Sequence, residues 1–530
     1  MPTDELSVAN NSIPVTNKTP NHSRILKLCL FASGFVGIVT EYVLSTLASY
    51  LLGNPIIQWP LIISLMLFAM GLGSRISRYL EKNLLDFFIL IELSISFFCS
   101  ISAALAYSCA AYTTQTGLII YALALCLGLL VGFEIPLVTR INSSYESLRA
   151  NIASVMENDY FGALFGGLVF TFLALPWLGL TYTPIALGVV NFLVSLVLLR
   201  QTSTLLAYPR IIKSICVALA LFLVVLSIWI KPIILYGEQS KYRDKVIYSQ
   251  QTAYQKIVIT QWKNHYWLFL DGEEQFSTYD EDKYHEPLVH PALKLSGGRQ
   301  KILILGGGDG LAAREILKYE EVKEITIVDI DSAVTELAKT YPILMEINKR
   351  ALHDPRVKVI NKDAYYFLAE NLDPFDAIII DLPDPRSLQL ARLYSKEFYE
   401  LAKKSLIKGG VIVTQATSPL YATKSYVSIM KTMASAGFSV LPYHNQIPTM
   451  GEWGWVLGIE AGVITGERLK ELALYLDFND VSTKFINPEA VVAMVHFGKG
   501  ILEKKAEVRV NSLSDLVIDR YYREGRWDIY

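Results

Sequence analysis

Cysteine is scarce in this chain, with five in 530 residues: Cys29, Cys99, Cys109, Cys126 and Cys216. All five lie in or beside apolar runs of the first 235 residues, so the hydrophilic remainder can form no disulfide of its own. That usage fits a reducing compartment. Surplus charge is also missing. Lys and Arg number 48 against 50 Asp and Glu, and the net charge of −2 singles out no class of charged partner. Charged residues make up only 18% of the chain and hydrophobic ones 52%, too apolar for an ordinary soluble enzyme. There are no internal repeats, and low-complexity sequence is confined to a polar N-terminal tail.

The apolar excess sits almost wholly before residue 235. Runs long enough to span a bilayer cover 25–52, 56–73, 84–112, 117–138, 161–180, 183–199 and 211–235, which predicts about seven transmembrane helices in a multi-pass cell-membrane protein. The first run lacks a small-residue cleavage site and further spans follow at once, so it is not a secretory signal. Basic residues cluster before the first span (Lys18, Arg24, Lys27), after the second (Arg75, Arg78, Lys82), after the fourth (Arg140, Arg149) and after the sixth (Arg200, Arg210, Lys213). The positive-inside rule then puts the N-terminus in the cytoplasm. Seven crossings would leave the hydrophilic half outside. A miscounted segment, and hence a cytoplasmic hydrophilic half, is the favoured expectation. The spans also contain Glu41, Glu92 and Glu134, which are costly at membrane depth and suggest either cation handling or pairing within an anchoring bundle.

The pattern divides the chain into a polar tail (1–23), a membrane domain (24–235), a β-rich subdomain (236–300), an α/β domain (301–465) and a charged extension (466–530) to which no chemistry attaches. The β-rich piece alternates in the manner of paired strands, with Asp271-Gly272 as a turn signal. From Lys301 onward, β-branched runs without alternation alternate with helical segments, as in a parallel sheet buried on both faces. Acids close the strands: Asp309, Asp329, Asp363 and Asp381 all fall at the carboxyl edge, where such sheets bind ligands. The most informative stretch is KILILGGGDG (301–310). Its glycine turn carries Asp309, and Leu311 stands where a dinucleotide fingerprint wants its third glycine. A carboxylate at that helix N-terminus would repel a pyrophosphate and attract a cation, which argues for an adenosyl sulfonium and against NAD.

Residues from about Tyr242 to Ile459 resemble the polyamine aminopropyltransferases (spermidine and spermine synthases), of the membrane-fused bacterial type. The likeness runs in order through Gln255, Leu270-Asp271-Gly272, the YHE of Tyr284-His285-Glu286, GGGDG with Arg314-Glu315, Asp329-Ile330-Asp331, Asp363-Ala364, the DLPDP of Asp381 to Pro385, Gln415 and Ile447-Pro448-Thr449. It implies a Rossmann-like domain of the S-adenosylmethionine-dependent methyltransferase type. The implied reaction moves an aminopropyl group from decarboxylated S-adenosylmethionine, a cosubstrate, to putrescine, giving spermidine and methylthioadenosine. No metal and no separate cofactor is implied. The partners would be a small diamine and the lipid bilayer, not nucleic acid, and the protein would be a homo-oligomer.

By the same resemblance Asp381 is the base, assisted by Tyr284. His285, Asp309, Asp384, Gln415 and Tyr443 line the amine site. Gln255, Gly306, Gly308, Asp329, Asp363 and Ala364 hold the donor or methylthioadenosine. Each acid has a structural alternative: Asp329 and Asp363 as helix N-caps, Asp381 and Asp384 as turn residues beside Pro383 and Pro385. Departures border the amine pocket: Arg386-Ser387-Leu388 follows DLPDP, Met450 stands for a usual tyrosine, and Gly451-Glu452-Trp453 replaces a small-residue turn. They leave acceptor identity open. The competing reading is a polyamine transporter or sensor whose α/β domain binds adenosyl compounds or polyamines without turnover.

Overall fold

The computed structural model describes residues 21–53, 55–113, 115–371 and 373–527. Most of the polar tail, Lys18 included, and the loop residues Asn54 and Thr114 lie outside the described residues. The chain forms two compact units, Met1–Val246 and Ile247–Tyr530.

The first unit is built from α1 (Asn21–Leu52), α2 (Pro55–Ser77), α3 (Leu84–Tyr112), α4 (Thr116–Asn142), α5 (Leu148–Val169), α6 (Gly179–Thr202) and α7 (Pro209–Gln239). Six stretches are long and apolar enough to cross a membrane, because α5 and α6 join through a π-helical segment, Phe170–Leu178, into one stretch of 55 residues. At about 1.5 Å per residue that stretch would measure roughly 80 Å, far more than a hydrocarbon core of about 30 Å. It doubles back instead, three residues after Pro176, at Gly179 (φ 60°). Its two halves meet the same end of α1. Near the start of α5, Asn151 bonds Asn142 and Thr139 of α4, and Glu146 bonds Ser23 and Lys27 of α1. At the far end of α6, Leu198 and Thr202 line a small cavity with Ile25, Leu26 and Tyr145. In the middle of the stretch, Phe170 packs on Tyr42, well along α1.

Six continuous candidates thus replace the seven expected segments, yet the path still traverses the bundle seven times. The chain enters where Arg140 bonds the Ser77 and Leu80 carbonyls and Asp86 accepts from Ala207 and Tyr208. It leaves at the opposite end, where Tyr50 donates to Glu238. Glycines set the close contacts: a Cβ on Gly162 or Gly166 would strike the α1 backbone at Phe31 or Phe35, and Gly132 lies against Met70 of α2. Gly73 lies against Leu129 of α4, whereas Gly71 has nothing near it among the described residues.

The second unit carries two sheets. The smaller joins β1 (Lys245–Gln251), β2 (Lys256–Trp262), β3 (His265–Leu270) and β4 (Glu273–Ser277) in that order. The larger comprises β5 (Lys301–Gly306), β6 (Glu324–Asp329), β7 (Val357–Asn361), β8 (Phe375–Asp381), β9 (Leu406–Gln415), β10 (Phe438–Ile447) and β11 (Gly451–Glu460). Its order is β10-β11-β9-β8-β5-β6-β7, with β5 to β9 parallel and the β10–β11 hairpin antiparallel at one edge. This is the Rossmann-like fold expected. The unbroken apolar run of β5 has a packing reason: Ile302 and Ile304 enter the core on one face of the sheet and Leu303 and Leu305 that on the other. Strand order reverses around β5, so the ends of β5, β6 and β8 open on a common crevice.

Candidate active site

Asp381 ends β8 in register with Gly306 at the end of β5. Gly306 takes φ 83° and abuts the Asp381 carbonyl so closely that any Cβ would collide with it. Only glycine allows the turn that follows. Gly308 is constrained in the same way by the Asp329 carboxylate, which accepts its N–H at 3.1 Å. Asp309 turns one oxygen back to the Leu311 N–H at 2.8 Å.

The helix Asp282–Leu295 lays Tyr284 and His285 over this edge. The Tyr284 hydroxyl donates to Asp381 at 2.7 Å, and its ring packs on Trp455. One ligand-type atom each from His285, Asp309 and Asp381 lies within 4.8 Å of the others. The other ring nitrogen of His285, Nδ1, meets the Glu281 carbonyl at 2.9 Å and carboxylate at 3.1 Å. Burial alone would depress the imidazole pKa, but the Glu281 bond and the charges of Glu281, Asp309 and Asp381 raise it to about 9. His285 is therefore an imidazolium at neutral pH. It is an internal counter-charge of Asp381 and Asp309, at the edge where the expected amine ligands gather.

Asp381 is desolvated, and the negative charge of Asp309 adds to the effect. Together they outweigh His285 and Tyr284 and bring its pKa to about 6. Asp384, three residues on, is also raised to about 6 by burial, against hydrogen bonds from Gln415 and Thr417. These two bonds measure 3.2 Å each. Both donors are neutral, and the nearby Arg386 guanidinium turns away to Asp271 and Glu273. Gln415 is itself fixed by the Leu382 carbonyl at 2.6 Å and the Tyr394 hydroxyl at 2.5 Å. Tyr443 is not brought to these acids. It stacks on Trp455 and donates to the Pro287 carbonyl at 3.0 Å, buried behind Tyr284. Met450 is buried as well.

On the adenosyl side, Asp329 accepts from Gly308 and from the Asp331 N–H at 2.9 Å, and burial raises its pKa to about 6. The N-cap of the next helix is Asp331, not Asp329. Gln255 reaches Asp331 at 3.1 Å, alongside Thr252 at 2.8 Å. Asp363 does cap the helix Ala364–Glu370 and also pairs with Arg392, so its structural alternative is present. Ala364 is buried.

Sequence reasoning missed Glu281, Thr417 and Tyr394. Arg314-Glu315 was visible as a motif without a role. Arg314 holds Glu281 with two bonds of 2.9 and 2.7 Å and Glu315 with one of 2.9 Å, and Glu281 in turn holds His285. Glu281 falls to about 2 because His285 and Arg314 overcome the opposing effect of burial. A second compact group, Glu286, His290 and Glu315, has metal-like spacing. Its atoms are already taken: Glu286 by the N–H groups of Lys484, Phe485 and Ile486, His290 by Tyr319 and Glu315, and Glu315 by Arg314 and Lys318.

The Spermine/spermidine synthase domain model matches residues 281–466. Polyamine aminopropyltransferase 2 of Aquifex aeolicus is 41% identical over 502 residues, covering 94% of this chain and 98% of that protein. The polyamine aminopropyltransferase of Leptospira interrogans is 38% identical over 497 residues, covering 93% and 96%. Both alignments run through the apolar half. A solved spermidine synthase in complex with the transition state analogue AdoDATO is 27% identical, covering 49% of this chain and 88% of its own, with a TM-score of 0.45. Enzymes of this family transfer an aminopropyl group from decarboxylated S-adenosylmethionine, a substrate, and need no cofactor. This chain belongs to the polyamine aminopropyltransferase family.

Proposed function

We propose that the acceptor is putrescine and the product spermidine, with Asp381 as the base. The observation that carries this reading is the unequal pair of acids at the end of β8. Asp381 already has an imidazolium beside it, whereas Asp384 has only neutral donors. Asp384 then has a vacancy for a cation, and the ammonium at the distal end of a diamine supplies it. The reacting amine lies at Asp381. A primary amine has a pKa of about 10.4 and is protonated at neutral pH, so it must lose a proton to react. Asp381 takes that proton as the nitrogen attacks the methylene carbon next to sulfur. The carbon–sulfur bond breaks with its electron pair on sulfur, and neutral methylthioadenosine leaves. Raised to about 6, Asp381 is a better proton acceptor than an ordinary carboxylate and is still mostly ionised at pH 7. Tyr284 orients it. Asp309 lines the amine side beside Asp381, Asp329 accepts from the ribose hydroxyls, and Gly306 and Gly308 admit the nucleoside. Gln255, Asp363 and Ala364 complete that pocket.

The helical unit is read as a multi-pass membrane domain, supported by the length and apolarity of its stretches. The bundle traverses an odd number of times, so reporters fused at the two termini are expected on opposite sides of the membrane, the N-terminal one cytoplasmic. Both on one side would overturn that path.

The deciding experiment is mass spectrometry of the detergent-purified chain with decarboxylated S-adenosylmethionine and a panel of amines. Methylthioadenosine and spermidine are expected with putrescine, and neither with Asp381→Asn. Turnover only with a longer amine overturns the acceptor, and binding without turnover moves the assignment to a sensor or transporter.

A further inference from the structure

Arg386 follows the DLPDP motif directly, two residues after Asp384, and takes no part in the reaction. The segment that carries it is firmly held. Asp384 stands between Pro383 and Pro385, and the Tyr394 hydroxyl donates to the Leu382 and Pro383 carbonyls at 3.1 and 3.0 Å. The Arg386 N–H donates to the Asp384 carbonyl at 2.8 Å, and on the far side Ser387 caps the short helix Leu388–Ala391. The backbone direction at Arg386 is therefore set from both sides. Its guanidinium crosses to the β3–β4 turn, where one nitrogen donates to Glu273 at 3.2 Å and another to Asp271 at 3.3 Å. Asp271 is fixed in turn: it takes φ 52°, and its second oxygen accepts the Lys256 N–H at 2.8 Å.

We propose that Arg386 is a specificity-determining residue: by occupying Asp271 and Glu273 it limits the acceptor to a diamine. The inference rests on the reading of Asp384 as the docking point for the distal ammonium. Two carboxylates one arginine side chain away from that point are a natural seat for a further ammonium. A triamine with one end at Asp381 and its middle nitrogen at Asp384 would bring its third charge toward them. Here a tethered guanidinium already answers both acids, and it repels an incoming ammonium. A diamine ends at Asp384 and never meets Arg386. The spermidine product is itself a triamine, so the same ion pairs keep it from serving as the next acceptor. The prolines and the helix cap matter, because a mobile arginine would also fold back onto Asp384 and exclude the diamine.

The test is initial-rate kinetics on the detergent-purified full chain, reading methylthioadenosine release with putrescine and with spermidine at saturating donor. Wild type is expected to prefer putrescine. In Arg386→Gln, kcat/KM for spermidine is expected to rise about tenfold, a modest gain because exposed ion pairs of this kind are weak. The value for putrescine should stay nearly unchanged. Arg386→Lys keeps the charge and should keep the wild-type preference. Adding Asp271→Asn and Glu273→Gln to Arg386→Gln should remove the gain, since the vacated seat is then uncharged. An unchanged preference in Arg386→Gln, with putrescine turnover intact, would overturn the role of Arg386. So would an equal gain in Arg386→Lys, or loss of turnover with both amines in Arg386→Gln. Spermidine turned over by wild type as fast as putrescine would instead overturn the diamine reading beneath it.

Discussion

Both units bury glutamates, and three in the second unit contrast with two in the first. In the second unit, Glu281, Glu286 and Glu315 each have both oxygens engaged, by Arg314, His285, His290, Lys318 or a run of three backbone N–H groups. In the helical unit, Glu92 takes one hydroxyl, from Ser33 at 2.8 Å, and its other oxygen has no partner; nor has one oxygen of Glu134. The lesson is that a buried acid is not one kind of object. Where guanidinium and N–H groups surround it, the ionised form is built into the fold and fixes its neighbours. Where hydroxyls alone are near, nothing internal supports a charge. Asp384 lies between the two cases, with two neutral donors, Gln415 and Thr417.

Replacing Asp381 by Asn should produce the largest change. It keeps the shape and the Tyr284 contact but removes the base, and a loss of about 10²- to 10⁴-fold in kcat is expected from methylthioadenosine release, with donor binding retained. Arg314→Ala comes next. It takes the guanidinium from the buried Glu281 and Glu315, leaving them His285, His290 and Lys318, and thermal unfolding should show the second unit weakened by about 3–5 kcal/mol. A variant with unchanged melting would show that these acids tolerate that loss and would break the comparison. Glu92→Gln and Glu134→Gln together should do the reverse, leaving thermal stability equal or higher and aminopropyl transfer as in wild type, because no internal cation loses a partner. Destabilisation there would reveal a charge requirement that the bundle does not display.

The smallest effects are expected from pH. Asp381 and Asp384 are raised to about 6, so activity that needs both ionised is present above that value and declines as pH falls through it. Stability follows the other network. Glu281 is lowered to about 2, so its contribution is present above its unfolded pKa and is lost as pH falls from about 4.5 through 2. His285 is raised to about 9, so its contribution is full below about 6.5 and is lost as pH rises through 9. A melting profile without the alkaline decline would sink the imidazolium assignment.

Much of the site was legible because its chemistry lies at strand ends. Asp329 and Asp381 follow apolar runs, and Gly306, Gly308 and Asp309 occupy one turn, so local pattern placed them at one edge. Tyr443 shows the limit. It sits on an edge strand near the site, and only packing reveals that Trp455 stands between it and Tyr284. Asp363 fitted both of its readings, and only the fold supplied Arg392.

By itself the amino-acid sequence determined the division into an apolar and a hydrophilic half, the alternating α/β order and the identity of the acids, since each is written in periodicity or in a short motif. The tertiary structure alone decided which residues far apart in the chain share a charge. It set Arg314 against Glu281, and His285 between Glu281 and Asp381. It brought Gln415 and Thr417 to Asp384 and folded the 55-residue helical stretch back on α1. Those outcomes depend on distance and desolvation in three dimensions, which local sequence does not encode.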